Sequence, residues 1–335
     1  MSSRRLLLAV GGIIVLAGMW LVGCGGSEPA SPAMSAQQNR GNEMAEDLPR
    51  LPAASLGEGQ KLRVVATTNI VADVVGNVGG DRIELTGLLP AGADPHAYEP
   101  TPQDLRAVAG AHVIFANGVG LEAFLDKMIR NAGGDAPVVP VSQGVSLLEM
   151  GPGDDDPDHV GADPHAWFDP NNVVIWAQNI ERTLAALDPA NTKVYAANAQ
   201  AYVAKLEALD AWIREQVAQV PAENRKIVTD HRVLGYFARA YGFELVGAVV
   251  EAYSAAAEPS AQEIVALEDN IRQFGVPAVF VGRTVNSKIA ARVAEDTGIQ
   301  LISLYTGSLS EAGGEASSYL DFMRYDVSAI VAALK

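Results

Sequence analysis

Cysteine is almost missing from this chain: Cys24 is the single one among 335 residues, so no intrachain disulfide can form. Stability must come from an ordinary apolar core. Basic side chains are also few, 24 Lys and Arg against 40 Asp and Glu, for a formal net charge of −16. A surface that acidic repels phosphate backbones, which argues against nucleic acid as a partner, and it attracts cations, although solubility accounts for the charge equally well. Histidine is rare too, five in all.

Two of those five sit in near-copies of one motif. Ala93-Asp94-Pro95-His96-Ala97-Tyr98 and Ala162-Asp163-Pro164-His165-Ala166-Trp167 both present Asp-Pro-His, then a small residue and an aromatic. Proline fixes its own φ and pushes the preceding Asp to extended geometry, so each imidazole projects from a stiffened loop. Little entropy is then lost when a ligand is immobilised. A turn with an incidental histidine is the competing reading of one copy; the repetition points to a metal site.

The N-terminus reads as a secretory signal. Arg4 and Arg5 precede an apolar stretch from Leu6 to Leu21, and Leu21-Val22-Gly23-Cys24 has lipobox form. The run approaches the roughly 18 residues that span a bilayer, but small residues ending at the only cysteine favour cleavage and acylation of Cys24. A diacylglyceryl-plus-acyl cap supplies the several chains that stable attachment needs. We therefore expect a leader over 1–23 and an extracytoplasmic body anchored to the membrane through Cys24. Loss of Arg4 and Arg5 with the leader makes the mature chain two charges more negative. Residues 24–60, rich in Ser, Pro, Ala, Gly and Glu, lack the apolar surface to fold and are expected to form a flexible tether.

From Lys61 onward the pattern alternates. Strands are expected at 61–67, 83–89, 113–116 and 138–141, with helices at 70–78 and from Pro102 toward Ala109, the latter opened by Thr101-Pro102-Gln103-Asp104. After the second Asp-Pro-His, Asp169-Pro170 leads into a helix over 173–187, closed by Asp188-Pro189. Tyr195, Ala199, Tyr202, Leu206, Leu209, Ile213 and Val217 then recur at steps of three and four, predicting one long amphipathic helix that ends at Pro221. The alternation resumes with strands at 227–229, 245–249, 278–281 and 301–303. Helices fall at 233–241, from the capping box Ser260-Ala261-Gln262-Glu263 to about Phe274, and at 287–297. The fold class is α/β: two Rossmann-like lobes, 61–189 and 221–335, joined by a single long rigid helix over 190–220.

Ligands of open parallel sheets bind beyond the carboxyl ends of the strands. His96, His165 and His231 all fall in that zone, two from the first lobe and one from the second. His112 opens an apolar strand and reads as structural. His159 is ambiguous: it follows the acidic run Asp154-Asp155-Asp156-Pro157-Asp158, whose acids could collect cations weakly, although a run of like charge reads rather as a solvated loop. Three neutral imidazoles suit zinc, whereas manganese more often has carboxylate oxygens among its ligands.

From about Leu62 to the C-terminus the chain resembles the metal-binding lipoproteins of bacterial ABC transporters for zinc and manganese. The matching stretches, in order, begin with Val64-Val65-Ala66-Thr67-Thr68-Asn69-Ile70, the two Asp-Pro-His motifs and Asp230-His231. Gly235-Tyr236-Phe237-Ala238, Ala257-Glu258-Pro259-Ser260 and Tyr319-Leu320-Asp321-Phe322-Met323-Arg324-Tyr325 complete them. The resemblance implies one transition metal between two lobes and delivery to a membrane permease, with His96, His165 and His231 at the family's three usual nitrogen-ligand positions. It also marks departures. Many members have Asp where Tyr305-Thr306-Gly307-Ser308 places Gly307, and often Glu where this chain has Gly282; Pro95 stands where some zinc members carry a ligating Glu. The expected shell is three histidines plus a water or another carboxylate, with zinc ahead of manganese because loss of an anionic oxygen penalises the harder cation more.

Two other classes compete. Three histidines with an open position also describe a catalytic zinc, for which Glu99 or Asp230 would be the general base, but nothing singles either out. A lipid-anchored surface adhesin is the third class, with no partner surface identified by the residues.

Overall fold

The computed structural model describes residues 51–149, 161–254 and 258–335. The expected leader, Cys24 and the Asp154–His159 loop lie outside the described residues.

The first lobe carries a parallel sheet of β1 (Leu62–Ala66), β2 (Ile83–Gly87), β3 (Val113–Ala116) and β4 (Val138–Pro140), in the order β2-β1-β3-β4. The second repeats that order one-for-one with β5 (Lys226–His231), β6 (Glu244–Val250), β7 (Ala278–Gly282) and β8 (Gln300–Leu304), as β6-β5-β7-β8. All the paired strands are parallel. In each sheet the chain reverses its direction of travel between the two central strands, β1 and β3 or β5 and β7. Crevices at such reversal points are where α/β sheets bind ligands.

Both faces of each sheet are covered, which explains why the strands read as continuous apolar runs. Val64, Val113 and Phe115 join one core while Val65, Ile114 and Ala116 join another on the opposite face. In the second sheet Ile227, Ala278 and Phe280 enter that same first core, and Val228, Val279 and Val281 a separate outer one. One apolar cluster thus runs unbroken from lobe to lobe.

The helices are α1 (Asn69–Gly79), α2 (Pro102–Gly110), α3 (Leu125–Ala132), α4 (Pro170–Leu187), α5 (Thr192–Val217), α6 (Gly235–Tyr241), α7 (Ala261–Phe274), α8 (Lys288–Thr297) and α9 (Tyr319–Leu334). Predicted caps are in place: Thr101 and Asp104 form a capping box on α2, and Ser260 and Glu263 form one on α7. At 26 residues α5 extends about 39 Å, and its buried side chains are the seven whose spacing predicted it. It packs on α1 and α4 of the first lobe and on α9 of the second. No helix among the described residues is long and apolar enough to cross a membrane.

The structure differs from the sequence reading in several places, among them α3 (Leu125–Ala132), a helix that reading does not place. Leu51, Ala54 and Leu56, within the stretch expected to be tether, pack on the core, and the Ala54 amide donates to the Leu187 carbonyl at 2.8 Å. A few apolar residues against an existing surface suffice to order such a segment. Helix α6 starts at Gly235 rather than Val233, because the Val233 amide closes a tight turn onto the His231 carbonyl at 2.8 Å. Helix α9 was read only as a motif, though Ser318 caps it by accepting from the Asp321 amide.

α9 and the loop before it also tie the lobes together. The Tyr319 hydroxyl donates to the Trp167 carbonyl at 2.7 Å, the Trp167 indole N–H donates to the Thr306 carbonyl at 3.0 Å, and the Tyr319 amide donates to Asp73 at 3.2 Å. Tyr319 is fully buried. Tyr319→Phe leaves the Trp167 carbonyl without that donor and should destabilise the protein by about 1–3 kcal/mol, read as a lower midpoint of denaturant unfolding at unchanged slope.

Candidate metal centre

The site forms where the carboxyl ends of the two sheets meet. His231 is the last residue of β5; His96 and His165 come from the loops after β2 and β4. The three imidazoles converge: one nitrogen from each lies within 4.8 Å of the others, and His96 Nε2 is 3.2 Å from His165 Nε2. They form the one group of this kind among the described residues, and it contains no carboxylate. His165 and His231 are buried, while His96 is half-buried.

Each Asp-Pro-His copy is an Asx turn. The His96 amide donates to Asp94 Oδ1 at 3.0 Å and the His165 amide to Asp163 Oδ1 at 2.9 Å, so in both loops aspartate folds the chain over proline and aims the histidine. In the second loop the same Asp163 oxygen also meets His165 Nδ1 at 2.8 Å. His231 has an equivalent partner, with Asp230 Oδ1 at 2.8 Å from its Nδ1 and the other oxygen accepting from the Gly282 amide at 2.8 Å. A carboxylate at Nδ1 keeps the proton there and leaves Nε2 as the lone-pair donor, the tautomer a metal needs.

These partners were not singled out in the sequence, where Asp163 served only as a loop stiffener and Asp230 as a possible base. The local signal existed, an Asp two residues before His165 and one directly before His231. Two glycines leave room for them. A Cβ on Gly235 would lie 2.6 Å from Asp163 Oδ2, and one on Gly282 would overlap the Thr306 hydroxyl and crowd Asp230 Oδ2. Gly307 supplies no donor, and a Cβ there would lie 2.8 Å from Pro95 Cδ.

The other candidates fall away from the site. His112 Nδ1 accepts the Arg63 amide at 2.8 Å, a structural role as expected. Glu99 is exposed, and Asp230 is committed to His231 and Gly282. His159 lies outside the described residues.

Residues 64–333 match the family model described as ZnuA, the periplasmic component A of a zinc-uptake complex. The chain belongs to this family. It is 36% identical over 278 residues to the manganese-binding lipoprotein MntA of Halalkalibacterium halodurans, covering 83% of this chain and 90% of that one. To the manganese ABC transporter substrate-binding lipoprotein PsaA of Streptococcus pneumoniae it is 35% identical over 283 residues, covering 82% and 90%. Among solved structures, the periplasmic zinc-binding protein TroA of Treponema pallidum aligns with a TM-score of 0.74 at 31% identity, over 82% of this chain and 99% of that one. A manganese-bound periplasmic metal-binding protein of Candidatus Liberibacter asiaticus aligns at 0.73 and 28% identity, over 82% and 100%. As a member of the ZnuA family the chain is a metal-binding solute-binding protein of an ABC transporter, not an enzyme.

Charge lies behind the donors rather than among them. Burial alone would lower the His231 pKa; contact with Asp230, with Asp94 and Asp163 nearby, more than offsets this and raises it. For Asp230 burial works upward, and the His231 charge and the bonds to His231 and Gly282 prevail to lower it. A raised imidazole pKa favours the protonated ring in the metal-free fold, a contribution present below about 6.5 and lost as pH rises through the raised value. Metal requires the neutral ring. On acidification affinity should therefore fall with its midpoint above the ordinary imidazole value of about 6.5, which metal-competition titrations across a pH series would locate. Gly235→Ala, which pushes Asp163 off His165, should weaken metal binding about 10- to 100-fold in the same assay.

Proposed function

We propose that this protein captures zinc between its lobes on His96, His165 and His231, with a water as the fourth ligand. It then hands the ion to the membrane permease of its transporter, while a lipid on Cys24 holds it at the outer face of the membrane. The observation that carries the metal assignment is the donor set: three imidazoles with no carboxylate in the convergent group. Zinc accepts such a set in tetrahedral geometry, whereas manganese favours oxygen ligands. Gly307 and Gly282 bring no acid to the site, in keeping with that choice.

The relatives favour a second reading. MntA and PsaA are both named for manganese, and the Liberibacter protein is manganese-bound, so a manganese receptor has direct support from similarity. Kinship thus includes both ions, with the family model and TroA on the zinc side and MntA, PsaA and the Liberibacter protein on the manganese side. Competitive titration of the metal-stripped protein decides between them. Under the zinc reading, zinc binds tightly at one ion per chain, manganese binds at least about 100-fold more weakly, and His231→Ala loses most of the zinc affinity. Equal or tighter manganese binding would replace zinc with manganese, and full retention by His231→Ala would remove that residue from the site.

A further inference from the structure

Glu122 is a buried carboxylate that the ligand set does not use. Its Oε1 accepts from the Thr67 hydroxyl and from the Asn117 amide, both at 2.6 Å, and its Oε2 accepts from the Gly118 amide at 3.1 Å. Thr67 directly follows β1 and Asn117 directly follows β3, so Glu122 bridges the two central strands where the first sheet reverses. Asp230 makes the comparable bridge in the second sheet from within β5, one residue before its end, by accepting the amide of Gly282 at the end of β7. Asp230 bears directly on a histidine. Glu122 reaches one through an intermediary: the Asn117 side-chain Nδ2 donates to the Pro164 carbonyl at 3.0 Å, the peptide immediately before His165.

Two further observations single out this segment. Gly118, Val119 and Gly120 all have positive φ, 82°, 57° and 79°, and for a β-branched residue such as Val119 that conformation is a genuine outlier. Strain of this kind persists where the surroundings over-determine it and clusters at ligand clamps. Asn117 is fully buried, yet its Oδ1 has no hydrogen-bond partner among the described residues. An amide kept in the core despite an unsatisfied oxygen is kept for what its N–H groups do.

We propose that Glu122 and Asn117 are positioning residues for metal capture: Glu122 fixes the strained turn after β3 so that Asn117 holds the Pro164 carbonyl, and with it His165, in the metal-binding orientation. The inference rests on the three-histidine reading. Asn117→Ala removes the donor to Pro164 and leaves the backbone contacts of Glu122 intact. Glu122→Gln keeps one acceptor oxygen but turns an amide NH2 toward a main-chain N–H that the carboxylate accepts.

The test loads the protein with cobalt(II), whose visible spectrum reports ligand number and geometry, and measures zinc loss to an excess of chelator. The metal-free melting temperature is followed alongside. Met128→Ala, a cavity in the outer core of the same lobe, serves as the control for destabilisation alone. Both Asn117→Ala and Glu122→Gln should alter the cobalt spectrum and speed zinc loss about 10- to 100-fold, with Glu122→Ala worse than Glu122→Gln. Met128→Ala should lower melting without either change. An unaltered cobalt spectrum and zinc off-rate in Asn117→Ala, or equal changes in Met128→Ala, would overturn the positioning role while leaving the receptor reading intact. Failure of the unmodified protein to bind cobalt or zinc would overturn both.

Discussion

The proposed metal site depends on two hydrogen bonds between aspartate and imidazole, Asp163 to His165 and Asp230 to His231, each 2.8 Å at Nδ1. A free imidazole samples two tautomers and many ring orientations; a carboxylate at Nδ1 selects one of each. Solvent cannot make that selection for buried rings, so the protein makes it with its own carboxylate side chains. Parallel sheets with an identical 2-1-3-4 order present the same crevice twice, and the lobes bring the two crevices face to face. The continuous core and the ties through Tyr319 and Trp167 keep them so.

A consequence is that ligation and charge compensation are divided between two layers. The inner layer is three neutral nitrogens; the outer layer is Asp94, Asp163 and Asp230, which act on His231 through space or through contact. On the proposed reading a divalent cation meets borderline nitrogen donors first and feels negative charge only at second hand. That order suits a borderline ion better than a hard one. It also couples capture to pH, because Asp230, with Asp94 and Asp163 nearby, raises the pKa of His231.

Much of this was legible in the sequence because it is local. The period of α5, the capping boxes at Thr101 and Ser260, and the apolar strand runs are all written within a few residues, and each appeared where expected. The convergence of His96, His165 and His231 followed from placing each after a strand. What escaped was set by contacts between distant segments. Leu51, Ala54 and Leu56 look like tether until α4 is there to receive them. Glu122 looks like an ordinary surface acid until Thr67, 55 residues away, closes on it. Gly282 read as a missing acid, but it leaves Thr306 the space it occupies and donates its amide to Asp230.

The most direct test of the account is X-ray absorption at the zinc edge of the loaded protein. Three imidazole nitrogens at about 2.0–2.1 Å, with one further light-atom ligand in a four-coordinate shell, is the predicted result. A shell with fewer than three imidazoles, or one dominated by carboxylate oxygens, would contradict the claim that these three histidines are the heart of the site.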